Sequence, residues 1–374
     1  RGPFPHPAVP HADGMAAYVE ALERQGLHPS FLPLGLRSPG EPDGCLLCNT
    51  CNSFPCQRHA KSDADVCCVR PLSDRPNVTL WTNAHARRLL TDPTGGRVEA
   101  IEVEHDREIQ RVEAPLVVVS CGAVNSAALL LRSATDRHPD GLANSSGLVG
   151  RRYMAHLSTM MAGFHPFRRN HTVFQKTVAI NDFYLRGPEG GYPLGHIQSQ
   201  GRVHGVMAQT AVPWMPLWFF NYWVARGVDW LAMTEDLPRP DNRVSVDADG
   251  RIQLHYRSNN LIAHDRLVLE VKRMLRRLGL RIVYTHTHKQ NTTHQCGTLC
   301  FGTDARRSVL DSYCRSHDVE NLFVVDASFF PSAAAVNPGL TIVAQALRVA
   351  DHIKETELRM AAVADTSEEE RTSV

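Results

Sequence analysis

The chain has 374 residues, with 40 Lys+Arg against 39 Asp+Glu and a formal net charge of +1. Such a small charge gives no basic field for a nucleic acid, and 43% hydrophobic with 21% charged residues excludes intrinsic disorder. No uninterrupted apolar run reaches the roughly 18 residues that a membrane-spanning helix needs. The chain opens at Arg1 rather than at a Met, so a targeting signal would not be visible. Both the cytoplasm and the periplasm therefore stay open as locations.

The first part of the chain predicts short, mixed elements. Residues 14–25 (GMAAYVEALERQ) predict an amphipathic helix, and the alternating residues 77–82 (NVTLWT) predict a strand. Residues 85–90 and 97–104 flank a turn-forming stretch, DPTGG, and therefore predict a hairpin.

A strand, a tight turn and a helix follow. The apolar run at 116–119 predicts a strand buried on both faces, which ends at Gly122. A helix with the sequence AALLLRS is expected to open at Asn125 and Ser126. This order is typical of nucleotide-binding α/β folds, although any doubly wound protein contains such units.

Residues 151–285 change character and predict a second domain built on an antiparallel sheet. Strand-like segments recur at 157–164, 177–184 and 251–256, and residues 265–278 predict a basic amphipathic helix. Residues 214–230 hold four of the five tryptophans. This concentration favours a substrate pocket or a core over a membrane-docking surface.

The chain returns to an α/β pattern after residue 286. Residues 321–325 (NLFVV) predict a buried strand that ends at Asp326. A helix is expected to start at Asn337 and Pro338, because Asn is a good N-cap and Pro is favoured at the first helical position. Residues 356–374 form a polar tail.

The sharpest pattern joins HQCGTLCFGTD (294–304) to NLFVVDASFFPSAAAVNPGLTIVAQALRVADHI (321–353). Together with PNVTLWTNAHARRLLTD (76–92) and VVVSCGAVNSAALLLRS (117–133), it resembles the glucose–methanol–choline (GMC) flavin oxidoreductases. In that family a His precedes a Gly-Thr pair, and a strand ending in Val-Asp-Ala-Ser leads to an Asn-Pro helix start. The resemblance implies an α/β (α+β) fold, with a Rossmann-like FAD-binding domain and an antiparallel-sheet substrate domain.

The resemblance also implies roles for individual residues. His294 matches the catalytic His, which removes the hydroxyl proton of an alcohol while the flavin N5 takes a hydride. Asn337 matches the second active-site position, which hydrogen-bonds the alkoxide oxygen. The implied FAD-binding residues begin with Ala86, whose backbone would pair with adenine, and continue with Asp326, Ala327, Asn337, Pro338 and Gly339.

One element of the family pattern is absent from the sequence. No G-x-G-x-x-G occurs, although the family carries this motif near its N-terminus to hold the FAD pyrophosphate. We therefore expect the C-terminal portion of a longer enzyme, in which the parent protein is active and this portion alone is not. Residues 1–150 would be the remainder of the FAD-binding domain, 151–285 the substrate domain and 286–355 the return to the FAD-binding domain.

Four cysteines have the spacing C-x2-C-x2-C-x4-C, at Cys45, Cys48, Cys51 and Cys56. Such spacing suits zinc or an iron–sulfur cluster, which could carry electrons away from a flavin. Loop cysteines, either free or paired, explain the spacing equally well. We expect no metal here.

The function implied is FAD-dependent oxidation of a small-molecule alcohol at a CH–OH group, with a sugar or polyol as the substrate class. Oxygen, a quinone or a cytochrome could accept the electrons, and no nucleic acid is involved. Two alternatives stay open: an inactive fragment or non-catalytic module unable to hold FAD, and an electron-transfer module with a Cys-ligated cluster.

Overall fold

The computed structural model of the protein describes the backbone of residues 6–52, 54–288 and 292–372, and the side chains of 6–52, 54–286 and 292–356. The helices are α1 (Asp13–Glu23), α2 (Arg70–Leu72), α3 (Ala123–Arg132), α4 (Gly205–Gln209), α5 (Leu217–Val224), α6 (Leu261–Arg277) and α7 (Gly339–Thr372). The strands are β1 (Pro29–Phe31), β2 (Ala84–Thr91), β3 (Val98–His105), β4 (Glu108–Glu113), β5 (Val117–Val119), β6 (Leu157–Phe164), β7 (Val178–Ile180), β8 (His196–Ser199), β9 (Gly227–Thr234), β10 (Arg243–Val246), β11 (Ile252–His255), β12 (Ile282–His288) and β13 (Leu322–Val324).

The largest sheet is antiparallel and has six strands in the order β1-β7-β8-β9-β6-β12. This sheet confirms the predicted antiparallel architecture, and β6 spans the predicted residues 157–164. Helix α6 places Leu267, Val271 and Leu275 in a core that also contains the fully buried Trp230 of β9. The apolar period of α6 therefore determines which side of the helix packs on the sheet. The edge strand β1 reaches this sheet from residues 29–31, far from the rest of it in sequence.

A smaller sheet joins β5 and β13 in parallel, with Val117, Val118 and Val119 opposite Leu322, Phe323 and Val324. The predicted strand is present, but its predicted burial on both faces is wrong. Val117 and Val119 are buried in the core, whereas the side chain of Val118 is 47% exposed. Alternate side chains of a strand point to opposite faces, and among the described residues only one face of β5 is covered.

The predicted hairpin is confirmed as β2 and β3, and β4 extends it to three antiparallel strands. The strand predicted at 77–82 is wrong, because those residues have irregular structure. An alternating pattern makes a strand only where a neighbouring strand supplies hydrogen bonds. In the described part of the chain no strand pairs with this segment, and Trp81 stacks instead on His105, with ring centroids 4.6 Å apart.

Two helical predictions differ from the structure in detail. Helix α6 begins at Leu261, four residues before the predicted start, and α7 begins at Gly339 rather than at Pro338.

The tryptophans of 214–230 divide between two environments: Trp230 is in the core, whereas Trp214 and Trp218 are 80% and 70% exposed. No helix in the described residues is long and apolar enough to cross a membrane.

Candidate active site

The carboxyl ends of the parallel strands β5 and β13 meet at Asp326. One carboxylate oxygen of Asp326 accepts hydrogen bonds from the Gly122 amide, at 2.9 Å, and from the Ser126 hydroxyl. The other oxygen accepts from the amide and the hydroxyl of Ser328. Asp326 is only 6% exposed, so its carboxylate ties the turn before α3 to the loop after β13. Its side chain therefore supports the shape of this strand edge, where open α/β folds bind ligands.

His294 lies between strand β12 and the segment that pairs with the loop after β13. Its φ is +59°, in the left-handed region that few residues other than glycine adopt. Three residues later, Gly297 has a φ of +91°, and an added Cβ there would lie 2.5 Å from the carbonyl oxygen of Arg152. The Gly297 amide donates to the carbonyl of Ala327 at 3.2 Å. Only glycine therefore fits at 297, and this close approach holds His294 beside the residues before β6.

His156, the residue immediately before β6, contacts His294 directly. The two Nδ1 atoms are 2.8 Å apart, and the rings meet edge to face with their centroids 4.8 Å apart. The Nε2 of His156 is 2.9 Å from the carbonyl oxygen of Ala333, in the loop that leads to α7. His156 is 1% exposed, so this pair links the six-stranded sheet to both predicted site segments.

The pKa of His294 falls to about 4, chiefly because the ring is partly buried, and further because protonating it beside His156 and Lys176 would be unfavourable. Burial likewise lowers the pKa of His156. Since water no longer solvates an imidazolium well at either site, both rings are neutral at pH 7. A neutral imidazole retains one unprotonated nitrogen, which can accept a proton.

Asn337 lies two residues before α7, and the predicted N-cap position is therefore wrong. Its side-chain amide donates instead to Oε1 of Gln198 on β8, at 3.0 Å. His196 on the same strand bridges Gln198 and Asn181, at 3.2 Å and 2.8 Å. Burial lowers the pKa of His196, and the neighbouring His156 ring lowers it further. A polar row on β8 thus faces the start of α7, close to the His156–His294 pair.

Sequence reasoning missed His156, His196 and Gln198. They lie on or directly before strands of the six-stranded sheet, and the hydrogen-bonded pairs formed with His294 and Asn337 span 138 and 139 residues of sequence. The one local signal was weak: a His directly before a strongly predicted strand. The structure brings these residues to His294 and Asn337, whose roles in catalysis stay predictions.

The remaining predicted cofactor residues divide between two places. Ala86 lies on β2, in a different sheet, beside a bulge between Ala86 and Arg88. Ala327 is buried and its carbonyl is engaged by Gly297. Pro338 is partly buried and Gly339 is exposed, at the start of α7.

The start of α7 fits the FAD that the resemblance implies. An added Cβ at Gly122, which precedes α3, or at Gly339 would meet no atom within 4 Å, so space is open at both points. The first amides of a helix lack intrahelical acceptors and carry partial positive charge. The start of α7 therefore suits an electron-rich group such as the flavin pyrimidine, whereas the start of α3 already faces the carboxylate of Asp326.

The cysteine-rich loop lies against the segment that precedes α4. His204, just before α4, contacts both the carbonyl of Asn49, at 3.1 Å, and the ring of Phe54. Lys61 donates to the carbonyls of Cys51 and Phe54. Within the described residues no group of three or more His, Cys, Asp or Glu is placed to hold a metal ion. The expected absence of a metal stays a prediction.

Comparison with known proteins identifies relatives across most of the chain. The N-terminal domain of GMC oxidoreductases matches residues 15–158, and the C-terminal domain matches residues 238–346. The chain is 32% identical to 6'''-hydroxyparomomycin C oxidase of Streptomyces lividus, a match that covers 94% of this chain and 66% of that protein. It is also 32% identical to paromamine 6'-oxidase of Streptomyces fradiae, over 92% of this chain and 65% of that protein. The chain thus spans about two thirds of the length of either relative.

The fold is also found in a solved structure. Pyridoxine 4-oxidase from Mesorbium loti superposes with a TM-score of 0.63 at 20% identity, covering 93% of this chain and 71% of that chain. At this identity the similarity concerns the fold alone.

Proposed function

Because this chain belongs to the GMC oxidoreductase family, whose members depend on FAD, we propose that it carries the site at which such an enzyme oxidises a small-molecule alcohol. The substrate class is a CH–OH donor such as a sugar or polyol. The full activity, with its electron acceptor, belongs to this proposal as well.

One observation supports it above the others: His294 is neutral, partly buried and held by His156 beside the loop that leads to Asn337. Alcohol oxidation removes a proton from the hydroxyl and a hydride from the carbon. His294 takes the proton, because its neutral ring has an unprotonated nitrogen at pH 7. FAD, when bound at the start of α7, supplies the acceptor for the two electrons.

The neighbouring residues orient the substrate. Gln198 holds the Asn337 amide group by accepting one of its N–H bonds. The remaining capacity of that amide is available to a substrate hydroxyl. His196 fixes Gln198 in turn, from the adjacent position on the same face of β8.

The test is anaerobic reduction of protein-bound FAD by a panel of sugars, polyols and simple alcohols. We expect His294→Ala to slow flavin reduction by about 10²–10⁴-fold, the usual contribution of a positioned base. Its FAD content should change little. His255→Ala is the matched control, because His255 is exposed on β11. The proposal is contradicted if the protein retains FAD but no alcohol of the panel reduces that FAD.

A further inference from the structure

The hydrogen bonds around His156 determine which of its nitrogens carries hydrogen. The carbonyl oxygen of Ala333 can only accept, so the Nε2 of His156, 2.9 Å away, must donate. A neutral imidazole has a single N–H, and the Nδ1 of His156 is therefore an acceptor. The tautomer of His156 is thus set by a backbone atom of the loop before α7.

The same reasoning extends to His294. Its Nδ1 is 2.8 Å from the Nδ1 of His156, which can only accept, so His294 Nδ1 carries the hydrogen. Its own ring is also neutral, and its Nε2 is left with the lone pair. The proton that His294 takes from a substrate then goes to Nε2.

We propose that His156 is a positioning residue, which fixes His294 in the Nδ1–H tautomer and so makes Nε2 the proton-accepting atom. This inference rests on the proposed function. When Nε2 becomes protonated, the Nδ1–H of the resulting imidazolium still donates to His156. The pair therefore has the same arrangement before and after proton transfer, and no side chain must turn. A neutral histidine here does the orienting that a carboxylate does in a catalytic triad.

Both sides of His156 are held by other residues, which suits a positioning role. Before it in the chain, the Ala155 amide donates to the carboxylate of Asp236, at 3.3 Å. The loop that carries the Ala333 carbonyl is held as well, because the hydroxyl of the preceding residue, Ser332, donates to Glu235. Glu235 and Asp236 follow β9, which pairs with β6. The sheet that carries His156 thus also fixes the loop carbonyl to which it donates.

The direct test is nitrogen NMR of the full chain with 15N-labelled histidine. Correlations from the ring hydrogens report which ring nitrogen is protonated, and the His294 signals are those lost in His294→Ala. We expect an Nδ1–H tautomer for His294 in the unsubstituted protein, and mixed tautomers in His156→Ala. An Nε2–H tautomer in the unsubstituted protein overturns the inference.

Kinetics with a conservative variant give a second test. In His156→Gln, the side-chain oxygen can accept from His294 while the NH2 group donates to Ala333. We expect His156→Ala to lower kcat by about 10²-fold or more, since a base in the wrong tautomer costs up to roughly 10⁴-fold. His156→Gln should recover at least about a tenth of the activity, with KM little changed in either variant. Equal loss in both variants overturns the inference.

A buried histidine elsewhere controls for simple destabilisation. His264 on α6 also bonds through both ring nitrogens, to Thr159 at 2.7 Å and Thr234 at 3.0 Å. We expect His264→Gln to destabilise the protein without changing the His294 tautomer. If no alcohol is oxidised while His294 remains Nδ1–H, the proposed function fails and the tautomer assignment stands. The two failures are therefore distinguishable.

Discussion

At the scale of single residues, Asp326 shows how a predicted cofactor residue can have a structural task. Its two carboxylate oxygens accept four hydrogen bonds from Gly122, Ser126 and Ser328. Charge-assisted hydrogen bonds are the strong ones, and a buried donor left without an acceptor is costly. The strand edge at which a ligand would bind thus depends on one negative charge.

Asp326→Asn tests this dependence. The new NH2 group would face donors that need an acceptor, and we expect the free energy of unfolding to fall by about 3 kcal/mol. Asp318→Asn is the matched control, because Asp318 also accepts from a backbone amide and a hydroxyl, both of Ser145, but at an exposed position. The Asp318→Asn variant should lose less than about 1 kcal/mol of its free energy of unfolding. Urea unfolding measures the loss of stability in both variants. Equal losses in the two variants would show that the strand edge does not depend on the charge of Asp326.

The sequence was informative about this site only where a motif is contiguous. His294 and Asn337 were predicted because each stands in a recognisable local run. His156 and Gln198 were not, because their proximity to those residues arises from the pairing of β6, β8 and β9. Such contacts depend on the register between strands, which no local pattern records.

At the scale of elements, the same distinction explains which predictions held. Helix α6 and the β2–β3 hairpin were predicted because their signals are internal: a 3.6-residue apolar period and a turn between two strands. The strand at 77–82 was wrong because a strand needs a neighbour, which its own sequence does not contain. The exposed face of β5 was missed for the same reason, since an apolar run does not show how many faces are covered.

The packing of α6 on the sheet also gives the protein a pH-dependent stability. Burial lowers the pKa of His264 from 6.5 to about 4. Because the folded pKa is below the unfolded one, the unfolded chain binds more protons in that window. This residue therefore contributes stability above pH 6.5, which is lost as the pH falls towards 4. Burial raises the pKa of Asp229 and Asp236 to about 6, and these two act with the opposite sign.

Comparing variants separates these contributions. Between pH 7 and pH 5, the unsubstituted protein should lose about 2 kcal/mol more of its free energy of unfolding than His264→Gln does. The His264→Gln variant should be less stable at pH 7, but its free energy of unfolding should change less between the two pH values. His255→Gln, at an exposed position, should follow the unsubstituted protein. Urea unfolding at the two pH values measures this, and parallel losses in all three proteins would show that His264 does not titrate in this window.

At the scale of the whole molecule, the described surface includes an unusual apolar stripe on α7. Leu340, Val343 and Leu347 are 71%, 45% and 60% exposed. Their spacing of three and four residues places them on one side of the helix. Contiguous exposed apolar surface of this kind drives association in water.

We therefore expect the 374-residue chain to self-associate in solution. Leu347→Lys places a charge at the C-terminal end of the stripe and should shift the population towards the 41.6 kDa monomer. Leu254→Lys is the control, because Leu254 is 38% exposed on β11. This strand pairs with β10 and is far from α7 in the sequence. Sedimentation velocity over a range of concentrations measures the association. A monodisperse monomer without substitution, or an equal effect of both lysines, would show that the stripe on α7 does not drive association.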